Sequence, residues 1–306
     1  MSSVISSHSP NAISQAVSVL NAGGLVGLPT ETVYGLAARA DIDDAVTRIF
    51  RAKGRPVGHP LILHISNISE LDRYADNVPT AALALAEQCW PGPLTLLLHK
   101  SKAVSHLVTG GRSTVAIRIP ANEFAQQIIR QCGTALAAPS ANLFGHVSPT
   151  TAQHVLNDLG DKVDLIIDDG DCTIGVESTI VDFTTAQPQL LRPGGFPAED
   201  LESIIGQQIL MPSGESRASG MLASHYAPQC TVVLVETIAE AKHALSELVN
   251  ARILEHWDNS PLYAASLYTQ MRQADSDGIS TIIAVLPNKS GLGMAIRDRL
   301  SKASFL

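Results

Sequence analysis

Residues 41–65 read DIDDAVTRIFRAKGRPVGHPLILHI, and this stretch decides the fold class. Asp41 suits a helix N-cap, and Asp43 and Asp44 put negative charge in the first turn, where the helix dipole favours it. Gly54 and Pro56 end the pattern, so a helix is predicted over Asp41–Ala52. Leu61–Ile65 is then a short, almost unbroken apolar run, as in a strand covered on both faces. A helix feeding a buried strand is the repeating unit of layered α/β proteins.

The alternation continues on both sides. Asn11–Leu20 is predicted as a helix stopped by Gly23-Gly24, and Leu25–Leu28 as a strand ending at Pro29. Further helices are expected over Pro79–Trp90, Glu123–Gln131 and Pro149–Leu159. Strands are expected over Leu94–His99, Val115–Ile119, Ala135–Ala138, Leu165–Asp168 and Thr179–Phe183. Gly, Pro and Ser then punctuate residues 207–230, which read as a linker. Beyond it come a strand (Thr231–Val235), a helix (Ala239–Val249), a strand (Thr281–Leu286) and a closing helix (Leu292–Leu300). The expected organisation is a large α/β domain over residues 1–206, a linker or lid over 207–230, and a small α/β, Rossmann-like domain over 231–306. Strand order is not legible.

Composition limits what the chain can do. It has 306 residues, 45% hydrophobic, with a net charge of −8. That balance disfavours indiscriminate nucleic-acid binding, which needs a basic surface. The charge is uneven, however: Arg48, Arg51, Lys53 and Arg55 fall within eight residues. A local cationic site in an acidic protein suits a small anionic substrate. Cys89, Cys132, Cys172 and Cys230 form no CxxC pair and read as small apolar residues of a reducing cytosol. The histidines show no zinc-site spacing. No Lys or Arg precedes Arg39 and no apolar run approaches 18 residues, so neither a signal peptide nor a membrane span is expected. The expected setting is cytoplasmic.

The chain contains neither GxxxxGK[ST] nor GxGxxG, so a phosphate site has to be assembled from dispersed side chains and helix ends. Lys53 and Arg55 leave a helix C-terminus. There they can satisfy its last carbonyls, or clamp a phosphate with Arg55 as a bidentate fork and Lys53 as a mobile point charge. Thr30 and Thr32 follow a buried strand, where open α/β sheets place ligands, although a plain turn role weighs equally. Ser140 and Asn142 end another strand and read equally as turn residues. Ser148 before Pro149 reads as an N-cap, and a helix N-terminus is also an anion seat. His64 in an apolar strand reads as a hydrogen-bonded core histidine. Arg118, between Ile117 and Ile119, has to be paired, and a ligand carboxylate is one partner. Arg192 alone is weak evidence. Asp168-Asp169-Gly170-Asp171 can hold Mg²⁺ or simply be a solvated turn.

Taken together, seven ordered segments resemble the YrdC-type threonylcarbamoyl-AMP synthases in their longer, two-domain form. They are PTETVYGLA (29–37), KGRPVGHPLILHI (53–65), WPGPLTLLL (90–98), STVAIRIP (113–120), APSAN (138–142), GVESTIVDF (175–183) and LRPGG (191–195), with SHYAP (224–228) matching the longer form's linker. The resemblance implies a large YrdC-like twisted mixed sheet with flanking helices. It implies a nucleotidyl transfer in which L-threonine, bicarbonate or CO2 and ATP, with Mg²⁺, give L-threonylcarbamoyl-AMP and pyrophosphate. A partner transferase then modifies the adenosine beside the anticodon of tRNA. Lys53, Arg55, Ser140 and Asn142 would form the signature catalytic constellation. Arg55, His59, Thr114, Ser140, Ser148, Arg192 and Tyr226 would contact ATP. Thr32, His64, Arg118, Ala138 and Ser178 would contact threonine. No metal is expected on a protein motif of its own. Position 59 is His where some relatives carry Asn, and the C-terminal domain is short for the longer form. Two rival readings are an RNA-binding module, with at least weak tRNA contact, and a carbamoyl-transfer domain serving another acceptor.

Overall fold

The computed structural model describes residues 3–212, 217–221 and 226–305. The helix of the opening stretch runs over Asp43–Lys53 and buries Ala45, Val46, Ile49, Phe50 and Ala52 on one face. It starts later than expected because Arg39 takes Asp41 away: Arg39 Nη2 lies 2.7 Å from Asp41 Oδ2, and Ile42 is the N-cap. Gly54 ends it at φ 61°, a left-handed conformation that costs glycine little. The Gly54 N–H reaches Arg51 O and the Arg55 N–H reaches Phe50 O, a Schellman-type closure that fixes the direction in which Arg55 leaves.

Ten strands form the large sheet: Ser3–Ser6 (β1), Val26–Leu28 (β2), Gly35–Arg39 (β3), Ile62–His64 (β4), Leu94–His99 (β5), Thr114–Arg118 (β6), Leu136–Ala137 (β7), Leu165–Asp168 (β8), Thr179–Asp182 (β9) and Gln189–Arg192 (β10). Their order is β1-β8-β2-β3-β7-β4-β6-β5-β9-β10, with parallel and antiparallel pairs mixed. Helices Ala12–Asn21 and Glu123–Cys132 cover one apolar cluster, containing Ala16, Leu20, Ile128 and Ile129. The helix over Asp43–Lys53 covers another, built on Ile49, Phe50, Leu63, Leu96 and Ile117. This is the expected α/β layering around a mixed sheet.

Register builds the site. β4 and β6 run parallel with Ile62 opposite Ala116, Leu63 opposite Ile117 and His64 opposite Arg118. Successive side chains alternate between faces. Leu63 and Ile117 therefore join the main core, while Ile62 and Ala116 face a smaller cluster with Ile180, Leu191 and Ala218 of the linker. His64 and Arg118 share that second face, two residues further along.

The C-terminal part is a three-stranded parallel sheet of Thr231–Val235 (β11), Ala251–Ile253 (β12) and Thr281–Val285 (β13), ordered β11-β13-β12. Helices Ile238–Glu247, Ser260–Ser276 and Leu292–Ala303 accompany it. The helix over Ser260–Ser276 has no counterpart among the expected elements. Asn259 caps it, with Pro261 in its first turn, and Tyr263, Ala264, Leu267, Tyr268, Met271 and Ala274 are buried.

The two sheets share a core. Val33, Val147 and Val176 pack in one cluster with Tyr263, Leu267, Tyr268, Ile282 and Ile296. Each such aliphatic side chain, fully buried, stabilises the joint by about 1.5–3 kcal/mol. Arg272 adds an ion pair to Asp158 at 2.7 Å and donates to the carbonyls of Val147 and Ser148. Among the described residues no helix is long and apolar enough to cross a membrane.

Candidate active site

A cavity of about 560 Å³, open mouth included, lies on the second face of the sheet. Thr32, Arg55, His64, Arg118, Ala138, Ser140, Ser178, Arg192 and Tyr226 all line it, so strands and loops far apart in sequence bring these expected residues together. Lys53, His59, Thr114, Asn142 and Ser148 do not line it.

Arg118 comes from the end of β6 and is 3% exposed. Its Nη2 lies 2.5 Å from Glu31 Oε1 and its Nη1 donates to Thr32 Oγ1 at 3.0 Å. The sequence reading left its partner open; the protein supplies Glu31, which also accepts the Ala121 N–H. Arg118 Nε is buried and, among the described residues, has no hydrogen-bond partner. Burial lowers the Arg118 pKa, against the opposing pull of Glu31. Thr30 Oγ1 donates to Val33 O at 2.6 Å and accepts the N–H groups of Thr32 and Val33, so the turn after β2 is closed by its own side chain.

Arg55 is aimed at the cavity by the helix closure described above. Its Nη2 donates to Pro60 O and to Ser219 Oγ, both at 3.1 Å, and its guanidinium lies 5.7 Å from the Phe144 ring centroid. Its Nε is buried and, among the described residues, has no hydrogen-bond partner. Burial lowers its pKa to about 10, which still leaves it charged near neutrality. Arg192, at the end of β10, donates from Nε to Ser178 O and from Nη2 to Ser178 Oγ, each at 3.0 Å. Ser178 Oγ is also 2.7 Å from Thr95 Oγ1. Gly194 is required here: a Cβ would stand 2.3 Å from Glu177 O and 2.4 Å from the Thr179 nitrogen.

Several expected roles change with position. Lys53 is not a mobile, phosphate-facing charge. It is 2% exposed, and its Nζ donates to Ser140 O and Asn142 O, each at 2.5 Å, tying the helix end to the APSAN loop. Burial, with Arg55 nearby, pulls its pKa well down. Asn142 is spent on the same loop, donating to Leu143 O and His146 O at 2.8 Å. Ser148 is not the N-cap of the helix over Ala152–Leu159; Thr151 is, because the chain from Ser148 to Thr150 is drawn into the interface between the sheets. His59 packs edge-on against Phe144 at 5.4 Å, and Thr114 opens β6 opposite His99. Ser224 and His225 of the linker motif lie outside the described residues. The acidic turn is held internally: Asp168 accepts the Gly170 N–H, and Asp169 accepts from Asn122 Nδ2 at 2.7 Å.

Sequence reasoning missed Glu177. Its Oε1 accepts from Ser148 Oγ at 2.6 Å, and its Oε2 from Tyr268 OH at 2.9 Å and Arg299 Nε at 2.7 Å. Burial alone would raise its pKa, but the charges of Arg299 and Arg192 with these hydrogen bonds hold it at about 2. The only hint was an acidic residue inside GVEST, an otherwise apolar and hydroxylic run. Arg299, with a side chain 0% exposed, is the complementary surprise. A buried arginine must have a partner, and that rule would have singled it out had its helix been read as buried.

His64 is neutral in the fold. Burial, then the Arg118 charge, lowers its pKa to about 3, and burial with Arg272 lowers that of His154 to about 4. Unfolded histidines near 6.5 bind protons that these two refuse, so the stability they confer is complete above pH 6.5 and lost progressively toward pH 3. Glu177, whose pKa is also depressed on folding, adds a loss from about 4.5 down to 2. Urea midpoints measured across pH 7.5 to 4 are expected to fall steadily below pH 6.5. A midpoint unchanged down to pH 4.5 would contradict the buried neutral histidines.

The family profile described as "Telomere recombination" matches residues 18–194, and that described as "Threonylcarbamoyl-AMP synthase, C-terminal domain" matches residues 196–304. A threonylcarbamoyl-AMP synthase of Pyrococcus abyssi is 41% identical over 94% of this chain and 93% of its own. One of Bacillus subtilis is 39% identical over 98% of this chain and 94% of its own. The crystal structure of P. abyssi Sua5 complexed with L-threonine superposes with a TM-score of 0.93 at 38% identity, covering 99% of this chain and 97% of that one. The chain belongs to the threonylcarbamoyl-AMP synthase family.

Proposed function

We propose that this protein condenses L-threonine, bicarbonate or CO2, and ATP into L-threonylcarbamoyl-AMP with release of pyrophosphate, the precursor for threonylcarbamoyl-adenosine formation beside the tRNA anticodon. One observation supports the reading beyond the family: Arg55 and Arg118, both buried, line a single cavity, and among the described residues neither Nε has a hydrogen-bond partner. Buried cations need counter-charges, so two arginines lining one cavity favour anionic groups held side by side.

Threonine's neutral amine adds to the carbon of CO2 or bicarbonate to give an N-carboxylate: with CO2 the nitrogen loses a proton to solvent, and with bicarbonate a C–O bond breaks and water leaves. A carboxylate oxygen then attacks the α-phosphorus of ATP, the bond to the β-phosphate bridge breaks, and pyrophosphate leaves with that electron pair. No covalent enzyme intermediate is needed. The protein's task is to hold the two anions in line and offset charge as it builds. Arg118 Nε would take the amino acid's carboxylate, with Thr32 and Ser178 beside it. Arg55 would face the polyphosphate, with Ser140, Arg192 and Tyr226 around the nucleotide. Lys53 would act through Ser140, as the tie that fixes its loop.

Neither carboxylate near the cavity is available to a cation. Glu31 is engaged by Arg118 and Glu177 by Arg299. Among the described residues no cluster of three His, Cys, Asp or Glu fits a metal. Magnesium would enter with the substrate, as MgATP. The product is a reactive mixed anhydride, so a transferase partner has to receive it. The four buried, free cysteines support a reducing, cytoplasmic setting.

The test is pyrophosphate release from ATP with threonine and bicarbonate each supplied or withheld. Dependence on both is expected. Release that ignores threonine, or binding of tRNA with steep salt dependence in its place, would overturn the reading.

A further inference from the structure

The last helix, Leu292–Ala303, carries Asp298, Arg299 and Lys302 on the side that meets the linker. Lys302 Nζ donates to Gly220 O at 2.6 Å, and Asp298 holds it at 2.8 Å. Asp298 also lies 2.5 Å from Arg299 Nη1, so one carboxylate orients both cations. The Arg299 guanidinium stands 4.9 Å from the Tyr226 ring centroid, a cation–π distance. Tyr268 of the same domain stacks on Tyr226 at 5.9 Å and 24°. Gly220 and Tyr226 themselves touch: with φ at +81°, a Cβ on Gly220 would fall 2.5 Å from the Tyr226 hydroxyl. Both residues line the cavity, and neighbouring Ser219 accepts from Arg55.

We infer that Lys302 and Arg299 are positioning residues for the reaction: from the small domain they hold two separate linker stretches, at Gly220 and at Tyr226, as the wall of the nucleotide half of the cavity. Neither lines the cavity. Arg299 grips Tyr226 and Glu177 together, while Lys302 fixes the backbone turn against which Tyr226 packs. The small domain, which contributes no cavity-lining side chain among the described residues, thereby takes part in substrate binding. The inference rests on the reading that Tyr226 borders ATP rather than threonine.

Lys302 is the cleaner probe, because it lies at the edge of the helix and its loss removes one linker contact. The experiment compares full-length Lys302→Met, Lys302→Arg and Tyr226→Ala with the unaltered protein. Pyrophosphate release gives KM for ATP, and calorimetry gives threonine affinity without nucleotide. Lys302→Met is expected to raise KM for ATP roughly tenfold, the scale of one charge-assisted hydrogen bond, with threonine affinity within about twofold. Lys302→Arg, which restores a donor to Gly220 O, is expected to recover most of the loss. An unchanged KM for ATP in Lys302→Met, with Tyr226→Ala impaired, would overturn the positioning role alone. A normal KM for ATP in Tyr226→Ala would overturn the reading beneath it. Equal weakening of both substrates, uncorrected by arginine, would mark a merely structural contact and also overturn the proposal.

Discussion

Arg55→Ala is expected to cut pyrophosphate release by about 100- to 1000-fold, the usual cost of removing one preorganised donor from developing charge. The structure explains why the fold survives the change. Arg55 makes two hydrogen bonds, to Pro60 O and Ser219 Oγ, and Ser219 Oγ already donates to Pro60 O at 2.8 Å. With the guanidinium gone, those two groups keep each other. The expected loss of stability is that of one or two ordinary contacts, about 1–2 kcal/mol. Lysine is not an equivalent replacement, since a point charge supplies neither the fork nor the stacking on Phe144. Turnover within tenfold of the unaltered enzyme would remove Arg55 from the chemistry.

The second large effect concerns stability. Arg299→Met leaves Glu177 buried without its main counter-charge, and breaking one side of such a pair costs about 3–5 kcal/mol. Tyr268 and Ser148 still donate to Glu177, which places the expected loss toward the lower end. Denaturant midpoints read the change directly. Glu177→Leu combined with Arg299→Met is expected to be more stable than Arg299→Met alone, because no unpaired charge is left in the interface. A single substitution costing under about 1 kcal/mol would mean that water reaches Glu177.

The sequence was legible where local rules govern. The strands over Leu94–His99, Leu165–Asp168 and Thr231–Val235 lie where apolar runs bounded by turn residues placed them. Errors arose where a side-chain partner won over a capping preference. Asp41 was the obvious N-cap but is paired with Arg39, and Ser148 gave up its capping position to bind Glu177, 29 residues away. The helix over Ser260–Ser276 went unread although Asn259-Ser260-Pro261 announces it and its buried positions recur at helical spacing. The short strand Gly35–Arg39 is sandwiched between nearby Val26–Leu28 and distant Leu136–Ala137, and the second of these neighbours is one that no window reveals.

The cavity followed the same division. Nine of the positions that line it were named from the resemblance to known motifs, Glu177 not among them. What local reading could not supply was which charges neutralise which. Arg118 looked like a residue awaiting a ligand, and half of its guanidinium proves to be held by Glu31. Lys53 was open between capping carbonyls and clamping a phosphate, and it proves to be a tie between a helix end and a loop. Both corrections come from carbonyls and carboxylates brought in by the sheet register and the loops it connects.

The most direct measurement is a crystal structure of the protein with L-threonine and a non-hydrolysable ATP analogue bound together. Both ligands are expected in the one cavity, with the amino acid's carboxylate against Arg118 and the polyphosphate against Arg55. Nucleotide density in the separate polar groove bordered by His154, Gln229 and Asp275, with the cavity left to threonine alone, would contradict the account.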